Sequence, residues 1–132
     1  MRDVVRTRSV PQIIVGNADY ERLTDLATAS LERLPEVARE LLSEMDRAQV
    51  VQDGNVPANV VRMGSTVTFR SDDGQTRTLK LVYPAEESLD AHRISVMTPV
   101  GAALIGLSEG QSISWTARDG RRHELTVVTV KT

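Results

Sequence analysis

Ile94-Ser95-Val96-Met97-Thr98-Pro99-Val100-Gly101-Ala102-Ala103-Leu104-Ile105-Gly106-Leu107-Ser108-Glu109-Gly110-Gln111 is the stretch that decides the fold. Its β-branched opening predicts a strand over Ile94 to Met97. Thr98-Pro99 then supplies a helix start: a threonine oxygen caps the first free amide, and proline fits the first helical position. The helical turn through Val100, Ala102, Ala103 and Leu104 is short, and Gly106 to Gly110 ends it. Downstream, Ser112 to Thr116 and His123 to Lys131 flank Asp119-Gly120, a hairpin signal. Upstream, Val67 and Phe69 alternate with Thr66, Thr68 and Arg70. Asp73-Gly74 turns the chain, and Leu79, Leu81 and Tyr83 continue on the return strand. These signals describe a twisted antiparallel sheet around one short helix.

Before Gly54 the period changes from two to that of a helix. After the apolar run Ile13-Ile14-Val15, Asn17 or Asp19 can cap a helix with Tyr20, Leu23, Leu26, Ala27 and Leu31 on one face. Pro35 begins a second, with Val37 or Ala38, Leu41, Leu42 and Met45 in register. The short link from Ser30 to Pro35 makes them antiparallel neighbours. The expected organisation is α+β: residues 1–54 carry a short antiparallel helical hairpin, and residues 55–132 a β domain.

With 132 residues and 40% hydrophobic content, the chain can build one core of ordinary size. A formal net charge of −2 argues against a globally basic nucleic-acid binder, so any charged surface is local. Zero cysteines exclude disulfides, thiolate metal sites and a cysteine nucleophile. Met1 to Arg8 has no apolar stretch of signal-peptide length and no segment reaches a membrane span, so a cytoplasmic protein without a membrane partner is expected.

Ile94 to Gly106 resembles the signature of the C-terminal domain of the Gre transcript-cleavage factors, a strand I-S-[VI]-x-[ST]-P leading into a small-residue helix and then L-I-G. Ser112-Ile113-Ser114-Trp115, Asp119-Gly120 and Glu124-Leu125-Thr126-Val127-Val128 keep that domain's order and spacing, so the resemblance covers roughly residues 55 to 132. The upstream hairpin is much shorter than a Gre coiled coil. This combination resembles the Rnk type, the regulators of nucleoside diphosphate kinase. The resemblance implies an FKBP-like β domain that docks at the secondary channel of bacterial RNA polymerase, in a regulator that is not itself an enzyme. It also implies a polymerase-binding surface at Ser95, Met97, Thr98 and Pro99. Met97 stands where Gre factors carry an acid or amide, so that contact changes from polar to apolar. From the residues alone, Thr98 and Pro99 are a helix start.

Gre factors use acids at the coiled-coil tip to help hold a metal ion. Here the tip is Glu32, Arg33 and Glu36, yet helices of about a dozen residues give an arm on the order of 20 Å long. Glu36 also lies in a first helical turn, where a carboxylate suits the helix dipole without any metal. Residues 17 to 50 hold eight acids against four arginines, net −4, which suits a basic partner or simply a solvated surface. No catalytic residue, metal site or cofactor is expected. His92 and His123 lack metal-ligand spacing, and Ser95 lacks a nucleophile elbow. Trp115 without a basic aromatic strip argues against direct sequence-specific nucleic-acid binding. Two other classes stay open: a peptidyl-prolyl isomerase, which would need an aromatic pocket, or a generic protein-interaction module. The sequence specifies no oligomeric state.

Overall fold

The computed structural model describes residues 11–132; Met1 to Arg8, and the expectation drawn from them, lie outside the described residues. Strand β1 (Ile14–Gly16) leads into helix α1 (Asn17–Ala29), and helix α2 (Pro35–Arg47) leads into β2 (Gln49–Val51). β1 and β2 pair in parallel, Val15 opposite Val50, and close the open end of the helical hairpin. The α1 start differs from the expectation. Neither Asn17 nor Asp19 caps it; Asp53 reaches back so that its Oδ1 accepts from the Ala18 N–H at 2.9 Å. Gly16 permits this approach, because a Cβ there would sit 2.8 Å from that same oxygen. Asp19 instead accepts from the Met63 N–H at 3.3 Å, linking α1 to the second half of the chain. Pro35 is the first residue of α2, as the sequence indicates.

The second half forms a curled sheet from β3 (Thr66–Ser71), β4 (Thr76–Val82), β5 (Arg93–Ser95), β6 (Ser112–Thr116) and β7 (Arg122–Lys131), in the order β5-β4-β3-β7-β6. Helix α3 (Pro99–Leu104) packs beneath it. The sheet is mixed rather than wholly antiparallel: β5 runs parallel to β4, with Lys80, Leu81 and Val82 opposite Arg93, Ile94 and Ser95. A hairpin cannot make that pairing, and the connection from Tyr83 to His92 supplies the crossover. β4 stops at Val82, so Tyr83 precedes a 3₁₀ turn at Pro84–Glu86 rather than extending the strand. Gly74 and Gly120 take positive φ at the two hairpin turns.

One core joins the two halves. Leu23, Ala27, Ala38, Leu41 and Met45 of the hairpin share a buried cluster with Val67, Phe69, Leu81, Leu104, Leu107, Leu125 and Val127. The Leu104–Leu107 corner is the hinge of this arrangement. Gly106 accepts from the Ile14 N–H at 3.1 Å and donates to the Val61 carbonyl at 3.0 Å, while Leu107 accepts from Val61. Gly106 has φ +82°, and its missing Cβ would lie 2.8 Å from Ile13 Cβ, so both conformation and contact select glycine. Arg22 stacks over the Tyr83 ring, 4.1 Å from its centroid. Burial, and then the charge of Asp19, push the Tyr83 phenol up to about 12.

At the C-terminal end of α2, Arg47 donates to Glu44 Oε1 at 2.6 Å and to the Pro11 carbonyl. Burial raises the Glu44 carboxyl above its ordinary 4.5 against the pull of Arg47, and Glu40 acts in the same direction as burial. The folded state therefore keeps this proton to higher pH than the unfolded chain. Its stabilising contribution is complete below 4.5 and is lost as pH rises through the raised value. Urea denaturation across this range is expected to show that decline in the parent and its absence in Glu44→Gln. Equal slopes in both would remove Glu44 as the cause.

Candidate partner-docking surface

The turn from β5 into α3 is built by Ser95 and Thr98. Ser95 Oγ accepts from the Met97 N–H at 2.9 Å, which ends the strand at Ser95, two residues before the expected Met97. Thr98 Oγ1 donates to the Ser95 carbonyl at 2.7 Å and accepts from the Gly101 N–H at 3.1 Å, capping α3. The same hydroxyl thus closes the strand end and starts the helix. Ser95 and Met97 are buried, at 3% and 5% exposure, so neither side chain offers appreciable area to a partner. Thr98, Pro99 and Val100 are partly exposed and form the accessible part of the turn.

Pro99 stands on a ridge between two grooves. One, of about 730 Å³, includes Glu87, Leu89, Ile94, Val100, Trp115 and Arg118. The other, of about 590 Å³, runs between the hairpin tip and the β6–β7 turn and includes Arg33, Leu34, Glu36, Met97, Ala117 and Arg118. The fold therefore brings Met97, Pro99, Arg33 and Glu36 to one groove, although they come from distant parts of the chain. Glu32 lies exposed at the tip and lines neither groove. Leu89, 74% exposed, and Leu34, 41% exposed, place large apolar side chains at the two grooves. Arg118 contributes to both.

Leu89, Val100, Leu34 and Arg118 were not among the expected surface residues. Leu89 carried a readable signal, one large apolar residue within the polar turn Glu87-Ser88-Leu89-Asp90; Arg118 carried none, because its place depends on how β6 curls over α3. Groove chemistry combines apolar Leu89, Ile94, Val100 and Trp115 with the acids Glu87 and Asp90 and the cation Arg118, a composition suited to a protein surface. An aromatic cage for a prolyl ring is not assembled: Phe69 is buried in the core, and Tyr83 lies under Arg22. Trp115 stacks on His123 at 5.0 Å, and His123 Nδ1 lies 3.4 Å from Asp72. Among the described residues, no group of three His, Cys, Asp or Glu side chains gathers to hold a metal ion.

Residues 56–132 match the family model for the GreA/GreB transcription elongation factor C-terminal domain, and residues 11–51 match that for the Rnk N-terminus. The chain belongs to the Rnk family, the regulators of nucleoside diphosphate kinase. The Escherichia coli K12 protein of that name is 40% identical over 121 residues, covering 91% of this chain and 89% of the relative. GreA of Rhodospirillum rubrum is 37% identical over 92 residues, which are 68% of this chain but 59% of that longer factor. A solved GreA/GreB-type elongation factor from Nitrosomonas europaea superposes with a TM-score of 0.73 at 34% identity, covering 92% of this chain and all of the other. Like that structure, this Rnk-family chain has a helical hairpin followed by a curled mixed sheet with one short helix. No helix among the described residues is long and apolar enough to cross a membrane.

Proposed function

We propose that this chain regulates transcription by docking at the secondary channel of bacterial RNA polymerase, in the cytoplasm, and that it competes there with Gre factors without stimulating transcript cleavage. The observation that carries this reading is the match of residues 56–132 to the GreA/GreB C-terminal domain, combined with a hairpin whose helices have 13 residues each. Docking belongs to the Pro99 ridge. Its apolar residues supply contact area, and Arg118 supplies one charged anchor of a residue type enriched among the side chains that dominate binding energy at protein interfaces.

Loss of cleavage follows from reach. Thirteen helical residues span about 20 Å, and the hairpin is held against the β domain because Ala38, Leu41 and Met45 of α2 share its core with Leu104 and Val127. Catalytic groups tolerate displacements of only about 1 Å before activity falls steeply. Glu32 and Glu36 on so short and docked a hairpin cannot serve a metal several turns beyond them.

Fluorescently labelled chain titrated with core RNA polymerase tests the docking step. Saturable binding that an excess of Gre factor displaces is the expected result. Binding that persists under saturating Gre factor would assign the chain a different polymerase site, and no binding would remove the reading.

A further inference from the structure

We propose that the outer face of the five-stranded sheet is a second binding surface, for the phosphate backbone of duplex nucleic acid, built on a cross-strand row of Arg93, Lys80 and Lys131. The register creates the row: Arg93 of β5 lies opposite Lys80 of β4, Lys80 opposite Thr66 of β3, and Thr66 opposite Lys131 of β7. With strands about 4.8 Å apart, the row extends about 14 Å across the sheet. The next row is Thr78, Thr68 and Thr129, and the Thr68 and Thr78 hydroxyls lie 2.8 Å apart. At the open edge of β4, beside the start of β5, lies a cleft of about 800 Å³ whose lining includes Thr66, Arg77, Lys80, His92 and Arg93 and not one carboxylate.

Like charges directly opposite one another on neighbouring strands weaken a sheet. Lys80 against Arg93 is such a pair, and no carboxylate of the described residues lies within 4.0 Å of Lys80, Arg93 or Lys131. Acids are present nearby but directed elsewhere. Glu87 and Asp90 line the groove beside Pro99, Glu109 accepts from the Val130 N–H, and Asp72 accepts from Glu124 at the far end of β7. Arg93 Nε donates to the Glu86 carbonyl at 2.8 Å, which fixes the guanidinium at the end of the row. In a chain with net charge −2, this is a local cationic surface with hydroxyl donors between its charges.

Phosphate oxygens are the groups that such cations and hydroxyls recognise. Single-strand binders add aromatic platforms for unstacked bases, and the outward residues of these two rows are threonine, lysine and arginine. That composition selects the outside of a duplex and gives no base readout. Three neutralised phosphates predict a slope of about −2.7 for log Kobs against log salt.

Fluorescence anisotropy of the full chain with random-sequence duplex DNA, starting at low salt, tests this surface without polymerase. Expected are sequence-independent binding, that slope, and a slope near about −0.9 with about tenfold weaker binding for the double variant Lys80→Gln, Lys131→Gln. Lys80→Gln removes the opposed like charge, so its urea midpoint should be unchanged or higher, which separates lost binding from lost folding. Lys131→Gln alone should remove about one unit of slope. The pair Arg121→Gln, Arg122→Gln, at the start of β7 and outside the row, should leave the slope unchanged. Absence of duplex binding at low salt, an unaltered slope in the double variant, an equal loss in the Arg121/Arg122 pair, or tighter binding to single-stranded RNA of the same length would each overturn the proposal. Its failure would leave displacement by Gre factor on polymerase untouched.

Discussion

Gly101→Ala is expected to destabilise the protein by about 3 kcal/mol or more, a large loss for one methyl group. The usual effect of Gly→Ala inside a helix is stabilising, because alanine restricts the unfolded chain and has the better helix propensity. Gly101 reverses the sign through contact. A Cβ there would lie 2.8 Å from Val96 Cα and closer still to the Ser95 carbonyl, both backbone positions of the strand and turn beneath α3. A flexible side chain could move aside; this backbone is fixed by pairing of β5 with β4 and by the Thr98 bridge. Relief would require α3 to lift from a core that includes Ala102, Ala103 and Leu104. Gly54→Ala is the matched control, since nothing lies within 4 Å of the Cβ it would add. Urea denaturation should show a large loss for Gly101→Ala and little change or a gain for Gly54→Ala. A cost below about 1 kcal/mol at Gly101 would mean that α3 does not press on β5 as described.

Arg118→Glu is expected to weaken binding to core RNA polymerase at least about thirtyfold, or about 2 kcal/mol. Arginine at the centre of an interface combines a packed stem with a delocalised charge, and reversing it both removes that contact and adds repulsion. Arg118 borders both grooves and is exposed, so the substitution changes the surface without opening the core. Pro99→Ala should weaken binding less, since it trims one partly exposed ring. Met97→Glu would place a carboxylate in a buried position and should fail by unfolding, so it reports on the core. Titration of each variant, with folding checked by circular dichroism, separates these outcomes. Unchanged affinity for folded Arg118→Glu and Pro99→Ala would move the interface away from this ridge.

The sequence made the order of the elements legible wherever local chemistry decides them. Pro35 starts α2, Thr98-Pro99 starts α3, and Asp73-Gly74 and Asp119-Gly120 turn the two hairpins. Decisions made by distant residues were not legible. The cap of α1 comes from Asp53, 35 residues beyond Ala18, so inspection near Asn17 could not find it. The parallel direction of β5 depends on the crossover from Tyr83 to His92, and the β1–β2 pair exists because the hairpin returns its ends to one place. The candidate site divides in the same way. The motif around Ser95 to Pro99 was visible, but alternation alone did not reveal that Ser95 and Met97 turn inward; the Ser95 hydroxyl bond to the Met97 N–H bends the chain there. Convergence of Arg33 and Glu36 on Met97 and Pro99 is a property of the shared core, which no single segment encodes.

Transcript cleavage in stalled, backtracked polymerase complexes carrying end-labelled RNA tests the proposed function most directly. The chain is added alone at saturating concentration, and then in increasing amounts against a fixed quantity of Gre factor. Expected are no cleavage above the intrinsic rate from the chain alone and a progressive fall of Gre-stimulated cleavage to that rate. Strong cleavage by the chain alone that Glu32→Ala or Glu36→Ala abolishes would contradict the reach argument, and Gre-stimulated cleavage that persists at saturation would contradict shared docking.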